Sequence, residues 1–244
     1  GLEAALYTAV TEYVRNEMNR ADNLDKKRKG TIGFALTILQ RRLASSPEAI
    51  YQSLKRRHKK LLRMLEELKL NKRGLSELGN LKAMTDEEYD ELVDDAPDEE
   101  VEALEDEIID QATAAQTIAE LELEIESLER LVAQAKSVRQ SEEDRKWIEL
   151  SKLLQDNKEM WGQYGNRRKL IVFTEHKDTL QYLYDRITGL LGKEDGVVII
   201  HGGVKREERR KVQERFTQDK DVLILIATDA AGEGINLQFC RLLI

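Results

Sequence analysis

Cysteine and proline are nearly missing from this chain: 244 residues contain one Cys, two Pro and only 5% aromatics. The lone cysteine, Cys240, allows no internal disulfide and suits a reducing compartment. Its apolar neighbours mark it as a small buried hydrophobe rather than a reactive thiol. Three histidines and that one cysteine offer no metal-ligand spacing, so no metal site is expected. No apolar run approaches the ~20 residues of a membrane span, and the amino-terminal residues lack the charged-then-apolar pattern of a secretory leader. We therefore expect a soluble, cytoplasmic protein with no membrane partner. Few aromatics and prolines beside 35% charged residues favour long solvated helices over a β-sandwich. The length and the 41% apolar content suffice for a sizeable core in one or two domains.

The net charge of −8 conceals a polarised chain. Between positions 41 and 73 there are eleven Lys or Arg against three acids, whereas positions 86 to 129 carry twenty Asp or Glu and no Lys or Arg. An acidic mean does not exclude nucleic-acid binding, because a basic face acts within a Debye length. Arg56, Arg57, Lys59, Lys60 and Arg63 form such a face, which either grips nucleic acid or is masked by the acidic segment.

Apolar spacing organises the first 160 residues into helices. Leu6, Ala9, Val10, Tyr13 and Val14 share a stripe, and RADNLDKKRKG breaks it as far as Gly30. Ser46 and Pro47 form a helix start, with Ser as cap and Pro at the first helical position. Leu54, Leu61, Leu65 and Leu68 then recur at helical spacing. Gly74, Gly79 and Pro97 punctuate an acidic linker over 74–100. Ile118, Leu121, Ile125, Leu128, Val132, Ala135 and Val138 follow the spacing of a short coiled-coil seam. Such a helix needs a partner in an antiparallel hairpin, either the basic helix or the segment from Val101 to Ala115, and charge favours the basic helix. The expected divisions are thus a helical region over 1–73, the linker over 74–100 and a coiled-coil-like arm over 101–160.

From residue 166 the pattern changes. KLIVFT, GVVIIHG and DVLILIAT read as buried strands separated by the amphipathic DTLQYLYDRITGLL and KREERRKVQERFTQ. This alternation specifies a parallel sheet covered on both faces, with ligands expected beyond the carboxyl ends of its strands. Three loops lie there: TEHKD (174–178), HGGVKRE (201–207) and TDAAGEGIN (228–236). Their small residues admit a phosphate, and their hydroxyls, helix-start amides and Lys177, Lys205 and Arg206 can bind one. Taken singly, GEG is a tight turn, and HGG without a G-x-S-x-G elbow is no esterase loop. A Rossmann-like small-molecule binder would need a Gly-rich first turn that is lacking. A coiled-coil interaction or scaffolding protein, with the α/β domain as anchor, stays open as the alternative from another class.

In order, KLIVFTEHKDTLQYL, IIHGG with KREERRKVQERF, and DVLILIATDAAGEGINLQ resemble the successive motifs of the second RecA-like lobe of superfamily-two helicases. The resemblance is to Swi/Snf-type DNA translocases and their RapA-like bacterial relatives, and it covers 166–244. It implies an α/β fold with a RecA-like parallel sheet, truncated at its carboxyl end, after an all-α region with a long helical or coiled-coil hairpin. It also implies that Thr174, His176, Lys177, His201, Gly202, Thr228 and Asp229 meet the nucleic-acid backbone. Gly232, Glu233, Gly234 and Asn236 would line the ATP cleft, with Gly234 and Asn236 towards the ribose. ATP with Mg2+ is the implied cofactor of an intact enzyme, and none is expected to bind tightly here. The implied partners are DNA or another nucleic acid, a first RecA-like lobe, and a protein partner for the arm. The sequence departs from the family in lacking G-x-x-x-x-G-K-[ST], a DExH-like strand end and the arginine-finger motif, so no complete catalytic set is expected and the chain reads as an excised piece.

Overall fold

The amino-terminal apolar stripe becomes the inner face of helix α1 (Leu2–Ala21), which buries Leu6, Val10, Tyr13, Val14 and Ala21. In the computed structural model the described residues are 1–24, 26–71, 98–141, 144–156, 158–161, 167–228 and 242–243. They fall into two units, Gly1–Asp144 and Arg145–Ile244. The acidic linker is thus mostly outside the described residues.

In the first unit α1 is followed by α2 (Lys26–Ser45), α3 (Pro47–Asn71), α4 (Asp98–Gln111) and α5 (Ile118–Gln140). The polar break is shorter than its composition suggests, because α2 starts at Lys26 and runs through Gly30. Long unbranched Lys and Arg side chains suit a helix, and Arg28 Nη2 donates to the carbonyls of Thr113 (2.9 Å) and Ala115 (2.8 Å), tying this turn to a distant loop. At α3 the cap is as expected: Ser46 Oγ accepts from the Ala49 amide at 3.0 Å, with Pro47 first in the helix. A capping box at Thr117 and Glu120 starts α5.

Glu48 pairs with Arg139 at one end of α3 and Lys69 with Glu122 at the other, so α3 and α5 run antiparallel. Helix α5 faces α1 as well as α3. It buries Leu121, Ile125, Leu128, Ala135 and Val138, together with Leu131 and Glu124 between them. That stripe is wider than a two-helix seam because a bundle surrounds it. The core takes Ile32, Leu36 and Leu39 from α2, Leu54, Leu61 and Leu65 from α3, and Ile108 and Ile109 from α4.

The second unit starts with α6 (Arg145–Asp156), whose Trp147, Leu150 and Leu154 pack with Leu170 and Val172. The sequence reading extended the arm to residue 160; packing places 145–160 with the sheet instead, since these apolar residues find their burial there. Strands β1 (Leu170–Thr174), β2 (Val197–Ile200), β3 (Ile224–Thr228) and β4 (Leu242–Leu243) form a parallel sheet in the order β2-β3-β1-β4. Helix α7 (Lys177–Leu191) lies between β1 and β2, and α8 (Arg206–Gln218) between β2 and β3. Side-chain alternation sorts the strands onto two faces. Leu170, Val172, Val197, Ile224 and Ile226 meet α6 and α7, while Ile171, Val198, Ile200, Leu225 and Ala227 meet Phe216 of α8 and Val222. Gly192, in the left-handed region at φ 64°, ends α7.

Candidate functional site

The strand order puts β3 between β2 and β1, so the loops after those two flank the end of β3. Thr174 and Thr228 are partners in the parallel register at the carboxyl ends of β1 and β3. Both are buried, at 8% and 6% exposure. Thr228 Oγ1 has no hydrogen-bond partner among the described residues. A sealed hydroxyl without a partner costs about 1–3 kcal/mol, so one at a strand end, where a ligand would sit, is a feature that folding alone does not favour.

On the β1 side, His176 is the extended N-cap residue of α7, and Lys177, the first helical residue, is exposed. The His176 side chain is 3% exposed, with Nε2 3.7 Å from Glu175 Oε2. It starts the helix from inside and is not presented to solvent as Lys177 is. On the β2 side, His201 and Gly202 begin a turn closed by the Val204 amide donating to the His201 carbonyl at 3.0 Å. The Gly203 amide donates to His201 Nδ1 at 3.2 Å, which leaves the ring proton of a neutral His201 on Nε2. Lys205 and Arg206 follow, both exposed, at the start of α8.

Two helix starts, three exposed cations and the threonine pair therefore belong to one edge of the sheet. The edge can take a phosphate backbone through amide, hydroxyl and ammonium donors. Asp229, Gly232, Glu233, Gly234 and Asn236, expected at the same edge, lie outside the described residues. No group of metal-ligating side chains occurs among the described residues.

Lys169 was not singled out in the sequence. Its ammonium donates to the carbonyls of Phe216 and, at 2.5 Å, of Asp219, and stands 5.2 Å from the Phe216 ring. Burial pulls its pKa down. The only sequence cue is a cation just before a buried strand, which has no unique meaning.

Residues 145–244 match the family model of the helicase conserved C-terminal domain. A stretch of 75 residues, 30% of this chain, is 39% identical to the uncharacterized ATP-dependent helicase YqhH of Bacillus subtilis (strain 168). The stretch covers 12% of that protein, so the chain corresponds to a small part of this relative. No solved structure matches. The matched segment spans the same residues as the second unit. No helix among the described residues is long and apolar enough to cross a membrane.

Proposed function

We propose that the chain supplies the second RecA-like lobe of an ATP-driven DNA helicase or translocase of the Swi/Snf or RapA type, with a helical region inserted before it. The observation that carries this reading is the Thr174 and Thr228 pair at the carboxyl edge, both buried and one hydroxyl without a partner among the described residues, inside the segment that matches the helicase domain. The two hydroxyls, the amides at the starts of α7 and α8, and Lys177 and Lys205 bind successive phosphates of one strand. His201 and Gly202 shape the β2 side of this track, His176 positions the start of α7, and Asp229 couples the track to the nucleotide.

ATP and Mg2+ belong to the cleft between this lobe and a first RecA-like lobe. There Gly232, Glu233 and Gly234 would line the cleft and Asn236 would accept from a ribose hydroxyl. The phosphates and the metal would be held by the first lobe, so this chain alone is expected to do no hydrolysis. Closing and reopening of the cleft steps the strand along the edge. A second reading, a scaffolding role for residues 1–144 with a protein partner, draws support from the separate core of that unit.

Photo-crosslinking in the intact enzyme tests the track. With p-benzoylphenylalanine in place of Lys177, DNA is captured; with the same probe in place of Glu194, before the start of β2, it is not. Capture from both positions, or from neither, overturns the assignment.

A further inference from the structure

Inside the helical unit, two buried carboxylates lie near one buried guanidinium, which is paired with one of them. Glu17 of α1, Glu124 of α5 and Arg57 of α3 are 3%, 1% and 2% exposed. Glu124 is fully engaged: Oε1 accepts from Arg57 Nη2 (2.6 Å) and Tyr13 Oη (2.9 Å), and Oε2 from Thr113 Oγ1 (2.5 Å). Arg57 is equally committed, donating through Nε to Tyr13 Oη at 2.9 Å and through Nη1 to the Ile109 carbonyl. Glu17 has much less. Its Oε1 accepts from Arg20 Nη1 at 3.0 Å, one turn along the same helix and 38% exposed. Its Oε2 is buried with no hydrogen-bond partner among the described residues.

The charges facing Glu17 are Arg20 from α1, Glu120 and Glu124 from α5 and Arg57 from α3, with the Tyr13 phenol beside them. Three carboxylates thus meet two cations, of which the buried one already serves Glu124. A bare carboxylate oxygen in this setting is costly, and a proton on Glu17 removes the cost by removing the charge. No metal or ligand is needed for that, and the proton is available from water.

We propose that Glu17 is a proton switch that sets how firmly α1 is held in the helical unit. With the proton on, α1 packs against α5 without like-charge repulsion; with it off, Glu17 and Glu124 oppose each other across the α1–α5 contact and α1 loosens. The position of Glu17 supports the assignment: burial first, and Glu124 second, push its carboxyl up to about 7, against the pull of Arg20 and Arg57. Because the folded value lies above the ordinary 4.5, the stabilisation is complete at acid pH and is lost as pH rises through about 7. The switch is therefore placed within the range where a small change in pH moves the population.

The full chain, labelled with carbon-13 at glutamate carboxyls, gives the first test. Glu17 should titrate near neutrality, and a value in the ordinary glutamate range overturns the proposal without any variant having to fold. The second test compares urea unfolding at pH 5.5 and 8. The folding constant of the unmodified chain should exceed that of Glu17→Gln in its pH dependence on the order of tenfold or more. Equal pH dependence in the two proteins overturns the proposal. Amide protection factors place the effect: they should fall above pH 7 in α1 but not in α3, and an equal fall in both removes α1 as the moving part.

Discussion

Arg57 Nη2 stands 2.6 Å from Glu124 Oε1, and the two side chains are only 3% and 0% exposed. One guanidinium thereby joins α3 to α5, to α1 through Tyr13, and to α4 through the Ile109 carbonyl. Of the basic face expected from Arg56 to Arg63, Arg56 and Arg57 are masked by the acidic segment, through Asp106 and Glu124. Arg57 points into the core, Arg56 pairs with Asp106 at 3.0 Å, and Lys59, Lys60 and Arg63 remain exposed.

Removing Arg57 strands a buried carboxylate, so Arg57→Leu should destabilise the helical unit by about 3–5 kcal/mol. Arg130→Ala breaks a pair with Glu126 in which both partners are more than half exposed, and should cost no more than about 0.5 kcal/mol. Urea denaturation of both variants checks the contrast, and similar losses would contradict it.

Asp110 gives a pH dependence separate from Glu17. Burial, with Asp106 nearby, pushes its carboxyl from 3.8 to about 6 although Arg56 opposes. Its folded value is raised, so its contribution is whole below pH 4 and is lost as pH rises through about 6. Asp110→Asn should therefore flatten the stability profile between pH 4 and 7 relative to the unmodified chain, as read by thermal unfolding. A profile of unchanged slope would show that Asp110 titrates normally.

Thr228 should separate stability from function. Thr228→Val replaces a sealed hydroxyl lacking a partner among the described residues with a methyl group, and should leave the lobe as stable or about 1 kcal/mol more stable. In the intact enzyme the same change should reduce DNA-stimulated turnover by at least ~0.5–1.5 kcal/mol, about twice that if the lost bond is to a charged phosphate, with basal turnover kept. Equal loss of both activities would argue against a contact with the strand.

The purified chain should show no steady-state ATP turnover, and turnover should appear when a first RecA-like lobe and the arginine-finger motif are present in the same protein. Hydrolysis by the chain alone, with contaminants controlled, would require a substitute for the phosphate-binding loop and the DExH-like strand end that the sequence lacks.

The sheet was legible because its information is local. Runs such as LIVF and ILIA are apolar at every position, as strands buried on both faces must be, and the intervening helices show their stripe within one segment. The start of α3 was legible for the same reason, since Ser46 and Pro47 act within one turn. Other features depend on partners far along the chain. Tyr13 and Glu124 are 111 positions apart, and nothing near Glu17 announces that its helix face will be buried beside another acid. Arg28 was read as part of a solvated break because its acceptors, the carbonyls at 113 and 115, come from a loop 85 or more residues away. At the candidate edge, residue types could be read from the motifs, whereas the burial of His176 and of Thr228 depends on packing that no single segment encodes.

The clamp at Lys169 has a mechanical consequence. Lys169 precedes β1 at the foot of the sheet, while Thr174 closes the same strand at the opposite rim. Because the ammonium is fastened to the carbonyls of Phe216 and Asp219, tension applied at Thr174 travels down β1 and is shared with the tail of α8. Five strand residues and one short crosspiece thus form a stiff strut through the lobe, so that a pull at the rim displaces strand and helix as one block.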